Sequence, residues 1–71
     1  MSASANAERA ASADAALLAY MSRTHCSCED CLADLLCDLM HWADKCDICF
    51  AQELFRACSN YADETADEEA A

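Results

Sequence analysis

Neither glycine nor proline occurs anywhere in this 71-residue chain. Their absence removes the residues that normally punctuate turns, and with them the tight hairpins on which antiparallel sheets rely. Helices joined by short polar connectors need no such residue, so the expectation is an all-α fold. Bases are scarce as well. Four lysines and arginines stand against fourteen acids, for a formal net charge of −10. A surface that negative repels nucleic acid and anionic membrane, which excludes direct contact with either and makes a basic protein surface the natural complement. No run approaches the ~20 apolar residues of a membrane span. The first twenty residues also lack the basic start and apolar core of a secretion signal. The expected setting is the cytoplasm, where thiols stay reduced.

What is present is helical periodicity, clearest from Asp30 to Lys45. Leu32, Leu35, Leu36, Leu39, Met40 and Ala43 follow the i, i+3, i+4, i+7 series of one helix face, with good helix formers and no β-branched interruption. Glu29 and Asp30 suit the positive end of the helix dipole and Lys45 its negative end. Ser27 followed by Asp30 resembles a capping box with aspartate in place of glutamate. A second periodic segment places Phe50, Leu54, Ala57, Cys58 and Tyr61 on one side, with Asp47 as the expected N-cap. A weaker one, rich in alanine, aligns Ala10, Ala13, Leu17, Tyr20 and Met21, with Leu18 at its flank. The sequence therefore predicts one domain over residues 8–62, with helices at about 8–22, 29–45 and 48–62. A frayed start (residues 1–7) and an acidic tail (residues 63–71) flank it. The short connector after Lys45 predicts that the second and third helices form an antiparallel hairpin, covered by a thin alanine-rich first helix.

Such a chain buries only about 60% of its unfolded surface and is marginal without a staple, a metal or a partner. Leftover apolar surface around Trp42 and Phe55 makes a homodimer one way to gain stability.

Seven cysteines cannot all pair internally, because seven is odd. Cys28-x-x-Cys31 and Cys46-x-x-Cys49 have zinc-site spacing, yet the helix between them would hold the pairs ~25 Å apart. A single zinc needs each sulfur within ~2.3 Å. A local set remains: His25, Cys26, Cys28 and Cys31, in a loop entering a helix N-terminus, could hold one zinc ion or respond to oxidation. Cys58 is expected to pack as a small hydrophobe, passing near Cys37 across the hairpin.

Asp34, Asp38, His41 and Lys45 share the polar face of the central helix. Asp34 and Asp38 repel at i, i+4, and an uncompensated stripe of this kind marks a surface suited to lysine or arginine on a partner. Asp30, Asp44 and Trp42 complete the candidate partner-binding set, with His41 expected to pair with Asp38 or Asp44. Asp38-x-x-His41 has the spacing of a carboxylate-bridged metal site, but such sites need a second helix of the same kind and none is available. No nucleophile–base pair, phosphate loop or pair of catalytic carboxylates emerges, so the expectation is a non-enzymatic protein.

The segment Asp34-Leu-Leu-x-Asp-Leu-x-His-Trp-Ala-Asp44, followed by Phe50-x-x-x-Leu54-x-x-Ala57-x-x-x-Tyr61, resembles short helical proteins carried by phages and mobile elements over about 30 residues. It is more faintly similar to the second half of the all-α MazG-type nucleotide pyrophosphatases. That family's acid-x-x-Asp motif would put a metal ligand at Cys31, and the thiol there departs from it, as does the lack of a Glu-Glu-x-x-Glu helix upstream. The phage resemblance implies a small accessory protein that binds host machinery, in the manner of anti-defence inhibitors such as anti-CRISPR proteins. The leading expectation is therefore a small acidic inhibitor, without a cofactor, that occupies a basic nucleic-acid-binding surface of a host protein. The alternatives are a zinc-stabilised or redox-responsive helical module and a dimeric accessory protein with a structural role.

Overall fold

Three helices make up the fold: α1 (Ser2–Thr24), α2 (Cys31–Lys45) and α3 (Phe50–Ala70). The computed structural model describes the backbone of residues 2–70 and the side chains of residues 5–66, and no strand occurs among them. The protein is all-α. Each pair of helices touches. No helix among the described residues is long and apolar enough to cross a membrane.

Lacking glycine, the chain ends two helices on residues that tolerate the left-handed region less well. His25 (φ 60°) and Asp47 (φ 58°) both sit there. His25 donates its N–H to the Met21 carbonyl at 2.7 Å, closing α1 with a single bond back over its last turn. At the end of α2, Ile48 N–H reaches the Ala43 carbonyl at 2.8 Å and Asp47 N–H reaches the Asp44 carbonyl at 3.3 Å. This double closure is the Schellman arrangement, and it sets Ile48 against Ala43, as that motif favours. Asp47 therefore terminates α2 and does not cap α3, correcting the expected N-cap. A short carboxylate suits both an N-cap and a left-handed site, and here the α2 end claims it. Replacing Asp47 with glycine removes the Cβ conflict and should stabilise the chain by about 1 kcal/mol in urea unfolding. Asp47→Val should do the reverse, since a β-branched residue is strained at positive φ.

The start of α2 realises part of the expected capping box. Ser27 Oγ accepts the Asp30 N–H at 3.3 Å and its hydroxyl donates to the Asp30 carboxylate at 3.1 Å. The Ser27 carbonyl accepts the Cys31 N–H at 2.9 Å, so a helical turn precedes α2 itself.

The helical ends depart most from expectation. α1 begins at Ser2, where fraying through residue 7 was anticipated, and α3 runs through the acidic residues to Ala70. Met1 and Ala71 lie outside the described residues. Each end holds the other. Arg9 Nε lies 3.3 Å from a Glu64 carboxylate oxygen, and Asn6 donates from Nδ2 to the Glu64 carbonyl at 3.4 Å. Arg9 also donates to the Asn6 side-chain oxygen at 2.6 Å. These polar contacts join the first turns of α1 to the later turns of α3, and alanines at positions 62, 66 and 70 carry the helix onward.

The resulting body is open. Among the described residues, only Cys31 (7% exposed) and Ala43 (1%) are buried apolar residues. The radius of gyration is 14.3 Å, against about 11 Å for a compact chain of this length. The surface is 5762 Å², where a compact monomer of 7.7 kDa exposes roughly 4300 Å². Folding alone thus leaves roughly 1400 Å² more surface than this mass requires.

Candidate interaction surfaces

The geometry of α2 decides what each of its sides can do. Cys31 and Leu35 turn inward with the half-buried Leu17, Tyr20 and Met21 of α1, while Ala43 seats the Schellman turn. Leu32, Leu36 and Met40, spaced i, i+4 and i+8, stay exposed. Trp42 (53% exposed) and Leu39 belong to an open groove of about 390 Å³ at the junction with α3, closed by Ala43, Ile48, Phe50 and Glu53. That groove is apolar except for Glu53. It lies at the connector, where the one short loop forces two helices together.

The polar side of α2 carries Asp34, Asp38, His41, Asp44 and Lys45, all exposed. Asp38 is tied down: the Tyr20 hydroxyl donates to its carboxylate at 2.6 Å, joining α1 to α2. His41 makes no hydrogen bond or ion pair with Asp38 or Asp44 among the described residues, contrary to expectation, because Asp38 has turned to Tyr20. The two ion pairs among the described residues, Arg9–Glu64 and Arg56–Glu53, leave Arg23 and Lys45 without a carboxylate and the α2 aspartates without a base. Asp30 is exposed and engaged with Ser27.

Tyr20 feels this arrangement. Its hydrogen bond to the Asp38 carboxylate, with lesser help from partial burial and from the Asp38 and Asp34 charges, pushes the phenol well above its ordinary range. A pKa higher in the folded than in the unfolded chain favours folding while the phenol is protonated. The contribution is complete below the unfolded value of about 10 and disappears as pH climbs through the raised value. In alkaline unfolding series, the wild-type chain should therefore lose stability above about pH 10 relative to Tyr20→Phe. Parallel curves would show that the hydrogen bond does not form.

All seven cysteines are free. Cys31 is buried and its S–H lies 3.4 Å from the Cys28 carbonyl; Cys26 is half-buried with Thr24 Oγ1 at 3.2 Å. His25 and Cys28 are exposed. These four, the expected zinc set, do not converge: no group of three histidine, cysteine or acidic side chains among the described residues could hold a metal ion. Cys31 is turned into the interior while His25 sits at the left-handed end of α1. Cys58, expected to be packed, is exposed, as is every residue from 51 to 63. Periodicity marks α3 as two-faced but does not say what lies against it.

A second cleft, of about 370 Å³, runs where α1 meets α3, lined by Asn6, Arg9, Ala10, Tyr61, Glu64 and Thr65. Asn6, Arg9 and Glu64, which join the two helices, supply part of its polar lining. No protein-family model, curated protein or solved structure matches this chain.

Proposed function

We propose that this chain is a small, acidic, non-enzymatic binding protein of the cytoplasm whose α2 carboxylates meet a basic surface on a partner protein. One observation carries the reading: Asp34, Asp38 and Asp44 stand exposed on one helix with no lysine or arginine paired to them among the described residues. Like charges at i, i+4 cost a helix a few tenths of a kcal/mol, a cost that a cationic partner converts into attraction. Trp42, beside this stripe and half exposed, supplies an aromatic anchor of the kind that dominates interface energies. In this reading α2 and α3 act as an antiparallel hairpin that carries the surface, with the alanine-rich α1 behind it. In its sharpest form, the chain imitates nucleic-acid phosphates and fills the basic groove of a host defence protein, as a phage-type inhibitor would. It touches neither nucleic acid nor membrane itself.

The test is affinity capture on the immobilised chain at low salt, followed by elution with salt and, separately, with duplex DNA. The expected result is a basic nucleic-acid-binding protein released by both. A partner that is neutral or acidic, or that stays bound through high salt, overturns the reading.

A further inference from the structure

Two of the seven cysteines are placed to react together. The turn ahead of α2 is helical: the Ser27 carbonyl accepts the Cys31 N–H at 2.9 Å and the Asp30 N–H at 3.2 Å. Asp30 itself has right-handed helical backbone angles. Cys28 and Cys31 therefore stand three residues apart on one helical turn, on the same side of it. Helical rise and radius put their Cα atoms about 5 Å apart, inside the roughly 4.4–6.8 Å that a disulfide spans. The Cys31 thiol already points back along this turn, with Sγ 3.4 Å from the Cys28 carbonyl oxygen. Access differs between the two. Cys28 is exposed and Cys31 is buried, so one thiol meets solvent while its neighbour is shielded.

The other cysteines lack this arrangement. Cys46 and Cys49 share the spacing, but the left-handed Asp47 lies between them and the chain changes direction there. Cys46 donates its N–H to the Trp42 carbonyl at 3.0 Å as α2 ends, while the Cys49 carbonyl accepts the Glu53 N–H at 3.2 Å as α3 begins. Cys26 Sγ faces Thr24 Oγ1 at the end of α1. Cys37 and Cys58 have no second cysteine within a turn of sequence.

We propose that Cys28 and Cys31 form a redox-active dithiol, which a low-molecular-weight disulfide converts to an intramolecular disulfide. Cys28, its proton lost to solvent, attacks one sulfur of the small disulfide. That S–S bond breaks, one small thiol leaves, and a mixed disulfide remains on Cys28. Cys31 then gives up its proton and attacks the Cys28 sulfur, and the second small thiol leaves. Two protein thiols are oxidised and one small disulfide is reduced to two thiols. Glu29, Asp30 and the net charge of −10 surround Cys28 with negative potential, so a cationic disulfide approaches more readily than an anionic one. The reaction needs no partner protein, and it stands or falls independently of the proposed function.

The test treats the reduced full-length chain with substoichiometric cystamine, quenches in acid, and locates each oxidised thiol by differential alkylation and tandem mass spectrometry. The expected first product has lost two hydrogens, holds one disulfide between Cys28 and Cys31, and leaves the other five thiols open to alkylation. Cys31→Ala should stop the reaction at a stable cysteamine adduct on Cys28. Cys28→Ala should leave Cys31 severalfold slower to react than the exposed cysteines. Should Cys31→Ala fail to fold, the wild-type map decides the matter alone. A first disulfide between Cys46 and Cys49, a disulfide between chains, or adducts that collect on exposed cysteines without a Cys28–Cys31 bond overturns the proposal.

Discussion

Replacing Ala43 with aspartate should abolish the cooperative thermal transition of this protein, while Ala33→Asp on the same helix should shift it only slightly. Ala43 is 1% exposed and seats Ile48 at the closure of α2, with the groove residues Leu39 and Phe50 alongside. A carboxylate there has no cationic partner among the described residues, and an uncompensated buried charge costs about 3–5 kcal/mol. That approaches the whole stability of a marginal small domain, which is about 5 kcal/mol at the low end of the usual range. Ala33 is exposed. The same substitution there loses only helix propensity, under about 0.7 kcal/mol. Circular dichroism melts at one fixed concentration separate the two. Equal shifts would mean that the α2–α3 junction is not packed as described.

The second large effect concerns the acidic stripe. Asp34→Asn combined with Asp44→Asn should weaken capture of a basic partner by about a hundredfold or more, since each of the two charge-assisted hydrogen bonds contributes about 1.5–3 kcal/mol. Asp38 is left intact in this variant because it also holds Tyr20. A control with the same change in net charge, Asp14→Asn with Asp63→Asn, alters exposed acids on α1 and α3 instead. If long-range attraction alone drives binding, the two doubles should weaken it equally. If α2 makes the contact, only the first should. Stability should hold or rise slightly in the first double, because the Asp34–Asp38 repulsion is relieved.

How much of this was legible in the sequence differs residue by residue. The all-α fold and the three helical centres follow from missing glycine and proline and from the spacing of Leu32 through Ala43. The exposed aspartates follow from the same pattern read on its polar side. Helix ends were less legible. Asp47 has two common roles at helix boundaries, and composition alone cannot choose between capping α3 and ending α2. The extension of α1 back to Ser2 and of α3 on to Ala70 accompanies the contact of Asn6 and Arg9 with Glu64, across a sequence separation of 58 for Asn6 and, from 64 − 9, 55 for Arg9. No local window contains both partners. Cys58 failed for a related reason: an apolar face announces that something covers it, and the expectation supplied α2 where the fold leaves solvent. His25, Cys26, Cys28 and Cys31 are close in sequence, yet a helix end and a buried thiol keep the four from converging.

The central claim, that the polar side of α2 receives a basic partner, is tested most directly by an NMR titration of the isotopically labelled chain with a lysine- and arginine-rich peptide. Run in about 20 mM salt and again near physiological strength, about 150 mM, it separates charge from hydrophobic contact. The account predicts amide shifts centred on Asp34, Asp38, His41 and Asp44 that shrink as salt rises. Shifts that leave these residues still, or that persist unchanged in salt around Leu36 and Met40, would contradict it.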